Sequence, residues 1–238
     1  MRFDVLKDIL WPKHCPVCLT ALPPGGRLIC PECVEKVKRV SGAVCYRCGK
    51  PLLDENREYC ADCEKRKPDF RENVAWADYS SKYIRRMMAE VKYHGNRQLL
   101  DYPCLEFGAR EKERIAAWDP EVMIPVPVHE KRLRVRGYNQ AEEIAKRLSE
   151  IWELPVDSGY LVRSGETRAQ KELSRNERMT NLMEAFSVSG APGKYKKVLL
   201  IDDIYTTGST MSACARVLHR AGIPEVYGAV LSIGRDRK

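Results

Sequence analysis

No run of about 18 apolar residues occurs in the chain, so no membrane-spanning helix is expected. The amino terminus, Met1-Arg2-Phe3-Asp4, opens no long apolar stretch either. That argues against a secretory signal and makes a cytoplasmic protein the expectation. Cysteine is scarce over most of the length: beyond residue 63 only Cys104 and Cys214 occur. The scarcity marks a change of composition and therefore a domain boundary. Strong charge of one sign is also missing. A net +8 over 238 residues suits an anionic ligand, phosphate or nucleic acid, without singling one out. Hydrophobic residues make up 44%, enough for a normal core, and the length allows one or two domains.

What is present is concentrated in two places. Eight of the ten cysteines fall at Cys15/Cys18, Cys30/Cys33, Cys45/Cys48 and Cys60/Cys63. Each is a C-x2-C pair, and the array repeats every 15 residues. Two such pairs supply the four thiolates of a tetrahedral structural zinc site, so four pairs predict two zinc ions. A cytosolic setting argues against disulfides, and common iron–sulfur spacings differ. Pro16 and Pro31 inside their pairs, and Gly49 after Cys48, suit tight turns that aim two sulfurs at one ion. Sequential pairing is simplest; pairing of the first with the third remains open. His14 neighbours Cys15 but is expected to be a bystander. Residues 1–70 hold 13 Lys and Arg against 10 Asp and Glu, a balance of +3. Eight thiolates with two zinc ions bring this to about −1, which weakens a picture of the segment as a basic nucleic-acid clamp.

The second concentration is Val198-Leu199-Leu200-Ile201-Asp202-Asp203-Ile204-Tyr205-Thr206-Thr207-Gly208-Ser209-Thr210-Met211. Four aliphatic residues mark a strand buried on both faces. Two carboxylates follow, then a hydroxyl-rich turn. Met211, Cys214, Val217, Leu218 and Ala221 then repeat at helical spacing, with Gly222 as a stop. A turn at a helix amino terminus offers unpaired amides and a favourable dipole to an anion. Thr206, Thr207, Ser209 and Thr210 add hydroxyl donors, and Gly208 permits close approach. Asp202 and Asp203 repel a phosphate but accept hydrogen bonds from sugar hydroxyls. The stretch therefore reads as a site for a 5-phosphorylated ribose. The plainer alternative is a strand, a turn and a helix cap with incidental Ser and Thr.

The remaining chain supplies the rest of an α/β pattern. Lys65-Arg66-Lys67-Pro68 reads as a linker, giving a cysteine module over residues 1–68 and a second domain over 69–238. Residues 76–79 read as an edge strand. Ser80 or Ser81 then caps a helix with Ile84, Met87, Met88 and Val91 on one face and Gly95 as its stop. Lys92, near its end, is either an anion ligand or a surface lysine. Residues 98–117 look helical with an interruption at Pro103, and Cys104 reads as a core thiol. Residues 122–128 form a second buried strand ending in prolines. A basic loop, His129 to Tyr138, carries Lys131, Arg132, Arg134 and Arg136. A helix follows with Ala141, Ile144, Ala145, Leu148 and Ile151 on one face. In open α/β sheets a loop at a strand's carboxyl end is where ligands bind. Residues 159–163 read as a strand. A polar stretch with Arg163, Arg168, Lys171, Arg175 and Arg178 follows, either a lid or a surface loop. Residues 226–233 form a last strand.

The acid pair and turn resemble the phosphoribosyl pyrophosphate (PRPP) motif of type I phosphoribosyltransferases. Together with the cysteine pairs, Val126-Pro127, Arg136-Gly137-Tyr138-Asn139-Gln140 and the segment from Gln170 to Asn181, the chain resembles the ComF family of competence-associated proteins. The resemblance runs from Cys15 to Ile233. It implies a parallel phosphoribosyltransferase-like sheet flanked by helices, behind an amino-terminal double zinc ribbon. It assigns Asp202 and Asp203 to the ribose hydroxyls and Thr206 to Thr210 to the 5-phosphate. Val126, Arg134 and Arg136 match the pyrophosphate-loop region, and Arg168 lies in the loop that closes over bound PRPP. Lys92 falls in the family pattern as well. Mg²⁺ would accompany PRPP. The family further implies a role in natural transformation, handling incoming single-stranded DNA, with other competence proteins as possible partners of the ribbon. Whether this chain transfers a pentosyl group, binds DNA as an accessory factor, or serves as a scaffold stays open, as does the acceptor. One departure is informative: Thr206 stands where purine-salvage relatives place an acid serving the base, which argues against a 6-oxopurine acceptor.

Overall fold

The computed structural model describes residues 10, 12–163 and 184–236. Two short helices, α1 (Pro31–Val34) and α2 (Ala61–Lys65), each open directly after a cysteine. Then follow β1 (Asn73–Asp78), α3 (Lys82–Tyr93), a 3₁₀ turn (Arg97–Leu100) and α4 (Asp101–Trp118). Next come β2 (Val122–Pro125), α5 (Glu130–Arg136), α6 (Gln140–Trp152), β3 (Leu161–Arg163) and β4 (Phe186–Val188). The chain continues with β5 (Lys197–Tyr205), α7 (Ser209–Arg220) and β6 (Glu225–Ile233). Strands β1, β6, β5 and β2 form one parallel sheet in that order, and β3 pairs antiparallel with β4 beside it.

Alternation along β5 divides the core. Leu199 and Ile201 face one side, with α3, α4 and α6: Ile84, Met88, Phe107, Ile144 and Leu148 pack there. Val198 and Leu200 face the other, with α7 and the β3–β4 pair: Met211, Cys214, Leu218, Tyr160 and Phe186 pack there. This is the period-two geometry of a strand buried on both faces. The cysteine pairs are split by the same sheet. Cys15 and Cys33 join the first cluster and Cys45, Cys48, Cys60 and Cys63 the second.

The amino-terminal segment crosses from one face to the other around β1. Val40 N–H donates to Trp76 O (2.9 Å) and Asp78 N–H to Lys38 O (2.8 Å), with Arg39 bridged antiparallel to Ala77. β1 is thus the edge strand expected near residues 76–79, yet it is buried throughout, because residues 38–40 cover its outer edge. Gly49 fits the second knuckle against this strand: at φ +73, an added Cβ would lie 2.5 Å from Asn73 O.

Two local expectations change. The interruption at Pro103 is absent: α4 is continuous, and Pro103 sits in its first turn, where a backbone N–H has no helical partner anyway. The break falls upstream, at the 3₁₀ turn. The basic loop after β2 is largely helical. His129 Nδ1 accepts from the Lys131 amide (3.1 Å) to start α5, and Gly137 at φ 79 stops it.

Candidate functional site

The cleft lies at the carboxyl ends of the parallel strands, where this architecture places ligands. It has a volume of roughly 310 Å³, its walls including Tyr79, Val126 to Val128, Arg163, Asp202, Asp203, Thr206 and Thr210. Lys92 reaches in from the end of α3. Its Nζ lies 2.5 Å from Asp203 Oδ2, so it is an ion-pair partner here and not a free surface lysine. The Asp203 amide donates to Asp202 Oδ1 at 2.8 Å. Burial, and then the charge of Asp203, hold the Asp202 carboxyl well above the usual carboxylate range.

Helical geometry sorts the basic segment. On α5, Arg132 and Arg136 are four residues apart, share a face, and line the cleft. Arg134 does not line it; it is exposed and its Nη2 pairs with Glu130 Oε1 at 2.5 Å. The expectation that Arg134 belongs to the site assumed a loop, and the helix turns that residue away. Arg168 lies outside the described residues. Arg163, Arg132, Gln140 and Tyr79 were not among the expected ligands. Arg163 had a signal, since the apolar run Tyr160-Leu161-Val162 ends on it at the sheet's rim.

The cleft holds donors without protein acceptors. Among the described residues, the buried side-chain polar atoms lacking a hydrogen bond are Asn73 Oδ1, Gln140 Nε2, Arg163 Nε and Asp203 Oδ2. The last three belong to cleft residues, and Asp203 Oδ2 is held by the Lys92 ion pair. Buried polar groups are ordinarily satisfied, so unmatched donors beside Arg132 and Arg136 mark an anion end. Burial, and then Arg132, depress the Arg163 guanidinium, a charge crowded by a like charge. In the same cleft, the two carboxylates form an acceptor pair suited to hydroxyls.

The turn that follows the carboxylates along the chain is tightly built. Thr207 Oγ1 and Ser209 Oγ lie 3.0 Å apart, and Gly208 caps α7 at φ 74. A Cβ at Gly208 would sit 2.1 Å from Tyr205 Oη. Gly208→Ala therefore combines a clash with left-handed strain and should cost about 1–3 kcal/mol of stability in thermal melts. An unchanged melting temperature would contradict this packing.

The cysteines form two sets, Cys15/Cys18/Cys30/Cys33 and Cys45/Cys48/Cys60/Cys63, with all ligand atoms of a set within 4.8 Å of one another. Sequential pairing is therefore the one formed. Cys18 Sγ to Cys30 Sγ is 3.7 Å and Cys48 Sγ to Cys60 Sγ 3.5 Å. Tetrahedral zinc with Zn–S of about 2.3 Å places sulfurs about 3.8 Å apart, so both sets fit a structural zinc. His14 belongs to neither; its Nδ1 meets Gln98 Nε2 at 3.1 Å.

Residues 6–64 match the family model of a double zinc ribbon domain. The chain is 27% identical to DNA utilization protein YhgH of Escherichia coli, covering 90% of this chain and 94% of that one. Among solved structures, a purine phosphoribosyltransferase from Pyrococcus horikoshii is similar at 16% identity, covering 57% of this chain and 72% of that one, with a TM-score of 0.36. No helix among the described residues is long and apolar enough to cross a membrane. Competence protein F of Haemophilus influenzae is 30% identical over 219 residues, which is 90% of this chain and 93% of that protein. At that identity over nearly the full length of both proteins, the chain belongs to the ComF family, the family of competence protein F.

Proposed function

We propose that this protein binds PRPP with Mg²⁺ in the cleft and acts in DNA uptake, the role that its relatives' names point to. One observation carries the ligand: two carboxylates, the hydroxyls of Thr206 and Thr210, and the donors of Arg132, Arg136, Arg163 and Gln140 line one cleft. PRPP has groups to match all three sets. Thr206 to Thr210 and the α7 amides would take the 5-phosphate. Asp202 and Asp203 would accept from the ribose hydroxyls, and the arginines would meet the pyrophosphate. Asp202 and Asp203 are the carboxylates lining the cleft among the described residues, and Mg²⁺ characteristically uses one or two carboxylates with substrate phosphates. When bound, the ion would offset the pyrophosphate's charge. Lys92, once released from Asp203, lies where it would add to that, which also suits departure of pyrophosphate in pentosyl transfer.

Calorimetric titration with PRPP and Mg²⁺ tests this reading. Lys92→Ala should weaken binding about tenfold or more, since a charge-assisted contact is lost. Wild-type protein that takes up no PRPP would end the reading.

A second reading, single-strand binding, is favoured by a different place. A groove of roughly 930 Å³ runs between the second cysteine module and the sheet, with Arg47, Lys67, Arg71 and Arg114 among its walls. Tyr46, 65% exposed, packs edge-on to Tyr59 at 6.3 Å, and Arg47 covers the Tyr59 ring at 4.1 Å. Asp69, also in the groove, is neutralised by Arg216. Aromatic faces beside cations suit a single strand. Tyr46→Ala should cost about 1–3 kcal/mol of oligonucleotide affinity. Affinity that is insensitive both to this change and to salt would exclude the groove.

A further inference from the structure

The two cysteine sites are not equivalent with respect to the cleft. The first packs on the sheet face carrying α3, α4 and α6, and the second on the face carrying α7 and the phosphate-type turn. Two separate connections join the second site to that turn. One is Tyr205, 4% exposed, the residue before the hydroxyl run. Its ring lies edge-on to Phe70 at 6.1 Å, within the apolar cluster that holds Cys45, Cys48, Cys60 and Cys63. Lys50, itself 2% exposed between the cysteine pairs and held by Asp62 at 2.6 Å, stands 5.9 Å from the ring centroid. The far edge of the ring fills the space under Gly208: an added Cβ there would be 2.1 Å from Oη, 2.5 Å from Cζ and 2.9 Å from Cε2. The turn's backbone therefore rests on the tyrosine, and the tyrosine rests on the cysteine module.

The other connection runs through the segment after β6 and ends on a carboxylate. Tyr205 O accepts from the Gly234 amide at 2.8 Å. Two residues on, buried Asp236 accepts from the Ala61 amide at 3.1 Å, next to Cys60. Both connections arrive at Tyr205, the residue from which the chain enters the turn.

We propose that Tyr205 is a positioning residue that couples the second four-cysteine site to the sugar-phosphate turn, so that zinc in that site and a phosphorylated ligand on the turn stabilise each other. The inference rests on the ribose-phosphate reading of the turn for its ligand, but the brace itself does not. Coupling of this kind is reciprocal: if the metal holds the turn in shape, ligand on the turn must hold the metal. The first site shares neither connection.

The test uses the full-length zinc-loaded chain. Zinc release to a chromogenic chelator is timed with and without PRPP and Mg²⁺. Amide exchange at residues 206–210 is measured without ligand in wild type, Tyr205→Phe and Tyr205→Leu. Release should occur in two phases, with PRPP slowing one of them about fivefold or more. That phase should be the one in which Cys45, Cys48, Cys60 and Cys63 become open to alkylation, read by mass spectrometry. The ligand effect should persist in Tyr205→Phe, which keeps the ring, and vanish in Tyr205→Leu. Exchange at 206–210 should rise about fivefold or more in the leucine variant alone. Unchanged exchange in Tyr205→Leu overturns the proposal. So does PRPP that binds yet slows both phases alike, or neither. A protein that shows the exchange response but binds no PRPP overturns the ribose-phosphate reading and leaves the brace standing.

Discussion

Asp202→Asn should make the ligand-free protein more heat-stable while stripping it of PRPP affinity. The two effects have one cause. Burial and the neighbouring Asp203 raise the Asp202 pKa in the folded state. A carboxyl with a raised folded pKa contributes stability that is complete below its unfolded pKa, near 4, and is lost as pH climbs through the folded value. Above its unfolded pKa the carboxyl is therefore a cost to the empty protein, one that grows with pH up to the folded value. Asparagine removes that cost and relieves Asp203, whose charge Lys92 already balances at 2.5 Å. The same change removes an ionised acceptor from the ribose end. Hydrogen bonds to charged groups contribute about 1.5–3 kcal/mol, so PRPP affinity should fall about 10- to 150-fold. Thermal melts in a pH series rising from about 4 to 8.5 should show the variant's advantage opening as pH rises, and calorimetry should show the affinity loss. A variant that melts lower at pH 8.5, or that binds PRPP as well as wild type, would mean that this carboxylate is neither strained nor ligand-facing.

Removal of zinc should unfold the α/β half along with the ribbon. A structural zinc site supplies on the order of 10–16 kcal/mol of folding free energy. A typical domain's whole stability is about 5–15 kcal/mol. Loss of metal would be confined to the ribbon only if the sheet stood without it, and the packing is against that. Val17, Leu22 and Val37 are buried in the same cluster as Trp76, Ile84 and Phe107. Residues 38–40 close the outer edge of β1. Arg39 adds an ion pair with Glu106, which also accepts from Trp76 Nε1 at 3.0 Å. Without these, β1 would present an unpaired apolar edge, a template for aggregation. Calorimetry should show one cooperative transition for the metal-loaded chain and its loss on chelation. Expression from residue 69 onward should give aggregated material. Two independent transitions, or a soluble fragment with a native-like melt, would show that the ribbon is a separable appendage.

The parts legible in the sequence are those whose chemistry is local. A C-x2-C pair places two sulfurs on one turn, so spacing alone announces a metal site. Val198 to Met211 carries strand, acids, turn and helix within 14 consecutive residues, and each element is set by its own neighbours. The assignment of Asp202 and Asp203 to one wall of a cleft follows from their position at the end of that strand. Lys92 was ambiguous because its partner, Asp203, is 111 residues away in the chain and a single lysine near a helix end has no local signature. Arg134 and Arg132 look alike in a basic run; only the helix formed by residues 130–136 decides that Arg132 and Arg136 share a face. The sequential pairing of the cysteines, the passage of the ribbon around the edge of β1, and the seating of Tyr205 between the second cysteine set and Gly208 depend on contacts between distant segments. Periodicity and spacing report what a residue does with its near neighbours along the chain. Which face of the sheet a module covers is set by how buried surfaces fit together, and that is a property of the packed whole.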